Sequence, residues 1–307
     1  MGMLRRTFLS VFPAAMAAPS KETHVYKRVG GVEIRADVYR GGKACIFWIH
    51  GGALISGHRG NLRGWQLEKY LAAGFSVVSI DYRLAPEVKI GAILSDVEDA
   101  WKWVHREGPK LFGIDPRRVG VVGHSAGGYL TLACSYRAKP QPRALVSYYG
   151  YGDLAGDWYA KPDPFYSRLA AVPREEAYSA VGNGVVTGTP GANQRGRFYL
   201  YCRQNGLWPK EVVGLDPAAQ NKGFDPYCPL RNVRKGWPPT MLLHGDKDTD
   251  VPFAQSELMA AEYQRRGVKH EFVRIPGGGH GFDGRMEDPA AKGAFERAVE
   301  FLKRETG

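Results

Sequence analysis

Long apolar runs are missing from this 307-residue chain. None approaches the roughly 18 to 20 residues that a membrane-spanning helix needs, so we predict no transmembrane segment. Internal repeats and low-complexity tracts are also lacking, and the 39 glycines and 20 prolines are scattered. That distribution indicates many turns and excludes a collagen-like chain. A composition of 44% hydrophobic and 24% charged residues is typical of a globular enzyme.

The chain has no block of five or six like charges, although its formal net charge is +11. An excess of 42 basic over 31 acidic residues is able to attract nucleic acid, an anionic polymer or a membrane surface. The basic residues are dispersed, however, and none of the familiar nucleic-acid-binding modules is present. We therefore predict a solvated basic surface and no nucleic-acid partner.

Cysteine is scarce, and its spacing provides neither a C-x-x-C motif nor a zinc site. Cys45 lies in an apolar run and Cys134 on a predicted helix, so both are expected to be small buried hydrophobes. Cys202 and Cys228 lie in an irregular segment. We hypothesise that these two form a disulfide in an oxidising compartment.

The N-terminus has the organisation of an export signal. Arg5 and Arg6 are followed by Thr-Phe-Leu, by a short apolar stretch at Val11–Ala15, and by Ala15-Met16-Ala17. A basic region, an apolar region and an A-x-A cleavage site occur in that order in secretory signals, and the paired arginines resemble a twin-arginine signal. Residues 1–17 are thus predicted to direct export to the periplasm or beyond, the alternative being a frayed amphipathic terminus.

From about residue 24 onward, strand-like and helix-like segments alternate. Short apolar runs predict strands at Val32–Arg40, Ala44–Ile49, Ser76–Ile80, Arg118–Val122, Ala144–Tyr149, Thr240–Leu243 and Glu271–Ile275. Helical spacing predicts helices at Asn61–Ala73, Ile93–Val104, Ala126–Tyr136, Pro252–Arg266 and Asp288–Arg304. Such alternation predicts an α/β fold with a mostly parallel sheet, helices on both faces, and reactive groups at the carboxyl ends of the strands.

The segment from about 150 to 238 breaks this alternation, because it is rich in Gly, Pro, Tyr and Arg and its apolar periodicity is weak. A long irregular insertion in a compact domain is usually a lid or a binding segment. We therefore predict one domain over residues 18–307, with a lid at about 150–238.

Ser125 is the candidate nucleophile. Gly123-His124-Ser125-Ala126-Gly127 is a G-x-S-x-G motif between a buried strand and a helix. A nucleophile elbow requires this context, since the serine sits on a strained turn and small flanking residues let strand and helix approach closely. The alternative is a tight β–α turn that merely needs glycine.

A serine hydroxyl needs a base, and the base in turn needs an acid to orient it. His280 follows a strand, in a loop with Gly277, Gly278 and Gly279 before it. Asp248 follows the preceding strand, so the chain order is Ser, Asp, His, as in α/β hydrolases.

Asp246 and Asp250 also qualify as the acid, because spacing alone does not separate them from Asp248. The alternating acidic residues resemble the start of a calcium loop. Val251 nevertheless stands where that loop needs glycine, and a strand comes before it where a helix should, so we predict no metal.

An oxyanion needs preorganised N–H donors. We predict that the backbone N–H of Ala126 supplies one, and that the turn after the strand Ala44–Ile49 supplies others through Gly52 and Ala53. Of the remaining histidines, His50 and His244 are interpreted as structural. His124 is interpreted as a supporting residue or a wall of the acyl pocket.

Together these motifs resemble the α/β-hydrolase carboxylesterases, nearest to the hormone-sensitive-lipase-like and acetyl-esterase branch. The resemblance covers about residues 30–150 and 238–304. It rests on four ordered motifs: His50-Gly51-Gly52, Asp81-Tyr-Arg-Leu-Ala-Pro86-Glu87, Gly123-His-Ser-Ala-Gly-Gly128 and His244-Gly-x-x-Asp248-x-x-Val-Pro252.

The resemblance implies an eight-stranded sheet, no cofactor and hydrolysis through an acyl-enzyme. It maps nucleophile, acid and base to Ser125, Asp248 and His280, and the oxyanion donors to Gly52, Ala53 and Ala126. Asp81 and Arg83 would brace the turn after their strand.

Two departures from the family pattern affect substrate preference. Ala53 replaces the third glycine of H-G-G-G, which narrows the space for bulky substrates. The long N-terminal cap is missing, so the lid is expected to cover the site. The lid is rich in aromatic and basic residues. Its aromatic rings suit sugar rings or phenolic acyl groups, and its arginines suit uronate. The alternative is that the aromatic residues simply pack the lid onto the helices beneath it. The aromatic residues are Trp158, Tyr159, Phe165, Tyr166, Phe198, Tyr199, Tyr201, Trp208, Phe224 and Tyr227.

We accordingly expect a serine esterase acting on small-molecule or carbohydrate esters, with acetyl or feruloyl esters of plant polysaccharide as candidate substrates. A prolyl-oligopeptidase-type peptidase shares the order of the triad, but such enzymes normally carry a β-propeller, for which this chain has no room. A non-catalytic binding protein has no need of all three triad residues. Dinucleotide binding is weaker still, because Gly182-Asn-Gly184 lies in the lid.

Overall fold

A computed structural model describes residues 20–182, 184–188, 193–285 and 287–307. The predicted export signal at 1–17 lies outside these residues. Within them, eight strands form one sheet in the order β1-β2-β4-β3-β5-β6-β7-β8. The strands are β1 Lys21–Val29, β2 Val32–Tyr39, β3 Ala44–Ile49, β4 Phe75–Ile80, β5 Val119–His124, β6 Ala144–Tyr148, β7 Thr240–Gly245 and β8 His270–Ile275.

The sheet is mostly parallel, which confirms the predicted eight-stranded α/β fold. Only β2 runs against its neighbours, pairing antiparallel with both β1 and β4, and the pairs from β4 through β3 to β8 are all parallel. Parallel neighbours align their carboxyl ends at one edge, so residues after β3, β5, β7 and β8 converge there.

Eleven α-helices occur in the described part of the chain. They are α1 Gly64–Ala72, α2 Ile90–Phe112, α3 Ala126–Arg137, α4 Asp157–Ala160, α5 Arg174–Ser179, α6 Asn193–Asn205, α7 Trp208–Val212, α8 Pro217–Gln220, α9 Pro229–Asn232, α10 Ala254–Arg266 and α11 Pro289–Thr306. In addition, none of the helices in this part is both long and apolar enough to cross a membrane.

Two hydrophobic cores lie on opposite faces of the sheet, because side chains alternate along each buried strand. On β3, Phe47 and Ile49 belong to one core, which α2, α3 and α10 cover. Ile46 and Trp48 belong to the other core, which α1 and α11 cover. Since both faces are covered, the central strands are buried along their whole length and mostly apolar, as the sequence pattern predicts.

The segment between β6 and β7, which contains α4 to α9, packs on the first of these cores. Tyr159 and Trp208 are almost completely buried there, as are Phe198 and Phe224. Burial of these four rings favours the packing interpretation of the lid aromatics, since a buried ring is not available to stack on a sugar. Phe165, at 44% exposure, is one that stays accessible.

A buried ion pair joins the same segment to the loop after β4 that contains Asp81 to Glu87. Arg195 of α6 contacts Glu87 through both guanidinium ends, at 2.7 and 3.0 Å. Its remaining N–H groups donate to the carbonyls of Ile55 and Ala85, at 2.6 and 2.5 Å. Because a buried charge is costly unless it is paired and hydrogen-bonded, this set holds α6 onto the loops that follow β3 and β4.

The predicted Cys202–Cys228 disulfide is wrong for this structure, because both thiols are free and buried. Cys202 lies on α6, with Leu207 N–H donating to its carbonyl. Cys228 lies before α9, where its sulfur accepts from the Leu154 N–H at 3.4 Å. Both behave as small buried hydrophobes, as predicted for Cys45 and Cys134.

Candidate active site

Ser125 lies in the turn between β5 and α3, with a φ of 56° and a ψ of −120°. Non-glycine residues are uncommon in this region, and such strain persists where the surrounding structure enforces it. Here the Ser125 N–H donates to the Tyr148 carbonyl of the neighbouring strand at 2.9 Å, and the Tyr129 N–H donates to the Ser125 carbonyl at 3.0 Å. The serine is therefore held at the carboxyl edge of the sheet.

Glycines allow the close approach that this turn requires. A Cβ on Gly127 would lie 2.1 Å from the carbonyl oxygen of Ile49, at the end of β3. A Cβ on Gly123 would lie 2.1 Å from the carbonyl oxygen of Gly127. Gly51 is also confined, though less tightly, since its Cβ would stand 2.7 Å from the His124 carbonyl oxygen and 3.2 Å from the Ser125 Cβ. Both ends of the G-x-S-x-G motif are thus sterically restricted to glycine.

His280 lies in the loop after β8, and its Nδ1 is 2.8 Å from Asp248 Oδ2. The other Asp248 oxygen accepts the backbone N–H groups of Asp250 and Val251, at 2.8 and 2.9 Å. His244 Nε2 lies 3.3 Å from Asp248 Oδ2. This carboxylate is fully buried and bound on both oxygens, so it fixes the orientation of the imidazole.

The two partners shift each other's pKa in opposite directions. Burial raises the pKa of Asp248, but hydrogen bonds from His244 and His280 outweigh it and hold this pKa well below its usual range. Burial lowers the pKa of His280, but the hydrogen bond to Asp248 and the charges of Asp250 and Asp248 raise it above its ordinary value. Asp248 therefore stays ionised, and the imidazolium form of His280 is favoured.

The other two acidic residues of the loop have different surroundings. Asp246 forms an ion pair with Arg274 at 2.7 Å and accepts the Gly277 N–H at 2.8 Å, on the exposed side of the sheet edge. Asp250 faces the other imidazole nitrogen, with its Oδ2 3.4 Å from His280 Nε2. Geometry thus separates the three candidates, and Asp248 is the one that contacts Nδ1.

The turn after β3 adopts positive φ at Gly52 and Ala53, at 108° and 56°. The Gly52 carbonyl accepts the N–H groups of Ile55 and Ser56, each at 2.9 Å. The Ala53 carbonyl accepts the indole N–H of Trp208 at 2.9 Å. Because both carbonyls accept hydrogen bonds, the orientations of the peptide planes in this turn are fixed. Trp208, predicted only as a lid aromatic residue, therefore helps to position this turn. The spacing of residues along the chain does not reveal that role.

A cavity of about 320 Å³ brings these elements together. Its lining comprises Gly51, Gly52, Ala53, Ser56, His124, Ser125, Tyr149, Gly196, Tyr199, Asp250 and His280. Ala126 begins α3 directly after the nucleophile candidate, and the first-turn N–H groups of a helix have no partner within that helix. A cavity of about 400 Å³ lies elsewhere, on β2, where Arg59 pairs with Asp37 and Asp81. It contains no candidate nucleophile.

Structural roles are visible for the other histidines and for the second family motif. His50 stacks on Tyr82, with ring centroids 4.1 Å apart, and His244 contacts Ser256 Oγ at 2.7 Å. Asp81 accepts the Arg59 backbone N–H at 2.7 Å, and Arg83 forms a buried ion pair with Asp96 at 2.7 Å.

A buried polar network behind the cavity was missed by the sequence analysis. Asp283 is 1% exposed and accepts from Tyr149 at 2.5 Å and from Gln66 at 2.8 Å. His124 Nε2 lies 3.4 Å from the same carboxylate, so His124 is both a cavity wall and a neighbour of this network. The three partners come from distant parts of the chain, and no short motif signals them.

Comparison with known proteins agrees with this architecture. A family model described as alpha/beta hydrolase fold matches residues 46–177, and a crystal structure of an α/β-hydrolase superfamily protein from Enterococcus faecalis superimposes with a TM-score of 0.74. That pair is 24% identical, covering 94% of this chain and 100% of the other. The chain has the α/β-hydrolase fold.

Further similarities are more distant or more partial. A butyrate-bound thermophilic esterase from Thermogutta terrifontis is 24% identical, with a TM-score of 0.64 over 94% of this chain and 95% of the other. A second family model, described as the prolyl oligopeptidase family, matches residues 199–307. The non-reducing polyketide synthase adrD of Penicillium rubens is 30% identical over 92% of this chain, which spans only 14% of the synthase.

The close packing around the nucleophile elbow predicts that a side chain at position 127 destabilises the protein. Gly127→Ala should lower the free energy of unfolding by about 1–3 kcal/mol, because the added methyl overlaps the Ile49 carbonyl. Gly293→Ala is the matched control: Gly293 lies within α11 with nothing within 4 Å of an added Cβ. There the same substitution should raise stability by roughly 1 kcal/mol through helix propensity. Urea unfolding followed by circular dichroism measures both, and a neutral Gly127→Ala would contradict the proposed close approach.

Proposed function

We propose that this α/β hydrolase is a serine esterase that cleaves carboxylic esters through an acyl-enzyme. Ser125 acts as nucleophile, His280 as general base and then general acid, and Asp248 as the residue that orients the imidazole. The proposal rests on the geometry around His280. Its Nδ1 lies 2.8 Å from the buried carboxylate of Asp248, and its imidazole lines the same cavity as Ser125, which has a positive φ.

In the proposed reaction, His280 Nε2 takes the Ser125 hydroxyl proton as Oγ attacks the ester carbonyl. The tetrahedral oxyanion accepts hydrogen bonds from the backbone N–H groups of Gly52, Ala53 and Ala126. Collapse breaks the bond to the alcohol, which leaves with the proton from Nε2. Water then repeats the sequence on the acyl-enzyme, releasing the acid and restoring Ser125.

The substrate we propose is a small ester with a short acyl group. A cavity of about 320 Å³ is at the lower end of the range for ligand sites, and Ala53 adds a methyl group where the family pattern has glycine. Acetyl or feruloyl esters of plant polysaccharide remain the proposed natural substrates. We do not extend the proposal to uronate recognition in the cavity, because none of the described lid arginines lines it and Arg195 and Arg203 are buried in ion pairs.

A second candidate is a prolyl-oligopeptidase-type peptidase, favoured by the family match over residues 199–307. That match contains Asp248 and His280 but not Ser125. The curated polyketide synthases suggest, in addition, that a polyketide acyl group belongs in the substrate panel as a thioester.

The discriminating assay uses p-nitrophenyl acetate and butyrate beside a prolyl-anilide and an acyl thioester. We expect ester turnover that is abolished in Ser125→Ala and reduced by several orders of magnitude in His280→Ala. Asp248→Asn should be slower by roughly 10⁴, because the imidazole loses its correct tautomer. Asp246→Asn is the matched control on the same loop and should retain most activity. Loss in Asp246→Asn with an active Asp248→Asn would reassign the acid. A protein that neither cleaves any ester nor reacts with an organophosphonate would be a binding protein.

The pH dependence of kcat/KM tests the role of His280. The base must be neutral, and neighbouring carboxylates favour the imidazolium, so activity should fall as the pH drops through an apparent pKa above 6.5. Asp250→Asn should move this acid limb to lower pH, because one negative charge beside Nε2 is removed. Asp246→Asn, whose carboxylate pairs with Arg274, should leave the limb in place. An acid limb below 6.5 in the wild type would contradict the assignment.

We also propose that residues 1–17 direct export, on the basis of Arg5, Arg6 and the Ala15-Met16-Ala17 sequence. N-terminal sequencing of exported protein should begin at Ala18. Export should stop when both arginines are replaced by lysine, since a twin-arginine signal is read by a receptor. Unchanged export of the double lysine variant would argue for a different route.

A further inference from the structure

A carboxylate lies in the cavity beside the atom that must transfer the proton. Asp250 Oδ2 is 3.4 Å from His280 Nε2, and the side chain is 17% exposed. Among the described residues that line this cavity, Asp250 carries the one fixed charge. The mechanism proposed above assigns it no role.

The two oxygens of Asp250 differ sharply in their surroundings. Oδ1 accepts three hydrogen bonds, from Tyr166 at 2.9 Å, from Tyr199 at 2.5 Å and from Arg203 at 2.8 Å. For Oδ2, the contact found within the described part of the chain is His280 Nε2. The first set anchors the carboxylate rigidly, and it leaves the second oxygen directed at the imidazole.

Arg203 does not neutralise this second oxygen. Its guanidinium is fully buried and is shared with Asp163, whose Oδ2 lies 2.5 Å from its second terminal nitrogen. Two carboxylates therefore surround one guanidinium, and the cluster of Asp163, Arg203 and Asp250 keeps a net charge of −1. The oxygen that faces the cavity is the part of this cluster closest to a bound substrate.

Before the nucleophile attacks, neutral His280 does not donate a hydrogen bond to Asp250. In the reactive tautomer Nδ1–H donates to Asp248, so Nε2 carries a lone pair and accepts the Ser125 proton. An accepting Nε2 offers no hydrogen to Asp250 Oδ2. When a substrate displaces solvent from this oxygen, a carboxylate oxygen left without a donor is unfavourable, and a donor on the substrate relieves this cost.

We propose that Asp250 is a specificity-determining residue that selects esters bearing a hydroxyl or other hydrogen-bond donor next to the scissile ester and rejects esters bearing a carboxylate there. This inference rests on the proposed esterase function and names its substrate class as esters of polyols. The leaving alcohol departs past Nε2, so a second hydroxyl on the neighbouring carbon lies within reach of Oδ2. A carboxylate at the same place meets a like charge in a site of low dielectric, which opposes binding.

The test compares three acetates of similar size: ethylene glycol monoacetate, 2-methoxyethyl acetate and acetoxyacetate. Hydrolysis is followed by pH-stat and reported as kcat/KM. We expect the wild type to prefer the glycol ester over its methyl ether by at least about tenfold, the ratio that corresponds to about 1.4 kcal/mol. Acetoxyacetate should be slower than the methyl ether by more than about tenfold.

In Asp250→Asn, the kcat/KM values for the glycol ester and for acetoxyacetate should each lie within about twofold of the value for the methyl ether. This expectation holds whatever the overall rate of the variant. Asparagine keeps an acceptor for Tyr166, Tyr199 and Arg203 and removes the charge. Asp163→Asn is the matched control, because it removes the other carboxylate from Arg203 without altering the cavity lining. Its preference for the glycol ester over the methyl ether should remain that of the wild type, because Oδ2 still faces the cavity, whereas its discrimination against acetoxyacetate should weaken, because the cluster then carries no net charge.

The wild-type ratios test the proposal even if Asp250→Asn fails to fold. Equal rates for the glycol ester and its methyl ether in the wild type would overturn it, as would equal losses of preference in Asp250→Asn and Asp163→Asn. Those outcomes would leave the esterase function standing, provided that p-nitrophenyl acetate is cleaved. Failure to cleave any acetate would instead refute the esterase function itself.

Discussion

The close contact between the end of β3 and the start of α3 is the constraint on which the rest of this structure depends. Gly127 lies so near the Ile49 carbonyl that no side chain fits, and Gly51 is similarly confined against Ser125. This contact places the turn after β3 beside the turn after β5 and holds Ser125 at a positive φ. The cavity, the proposed oxyanion donors and the approach of His280 all presuppose that positioning.

The loop after β7 shows how environment separates residues that look alike. Asp246, Asp248 and Asp250 alternate along the chain, yet one pairs with an exposed arginine, one contacts the imidazole Nδ1 and one faces Nε2 from the cavity. Hydrogen bonds from His244 and His280 hold the pKa of Asp248 low despite its burial, and the two carboxylates around His280 raise the pKa of the imidazole. The charge of the imidazole is thus set jointly by both neighbours.

The helical segment between β6 and β7 is better described as part of the core than as a loose cover. Arg195 fixes it to the loops after β3 and β4, and Trp208 fixes the carbonyl of Ala53. Arg203 anchors Asp250 from the same segment. A chain whose net charge is +11 therefore presents an acidic oxygen in its cavity, because the nearest arginines are buried and already paired.

Periodicity in the sequence was sufficient to predict seven of the eight strands, the mostly parallel sheet and the two helical layers, whereas the count of eight came from the resemblance to the carboxylesterases and β1 was not located. Periodicity and motif spacing also predicted the strand ends that carry Ser125, Asp248 and His280, because local alternation records which faces are buried. Spacing did not separate Asp248 from Asp246 and Asp250, since one peptide step in an irregular loop redirects a side chain. Nor did it predict the free thiols of Cys202 and Cys228, the Asp283 network, or the role of Trp208. These depend on contacts between residues far apart in the chain, which only the packed tertiary structure brings together.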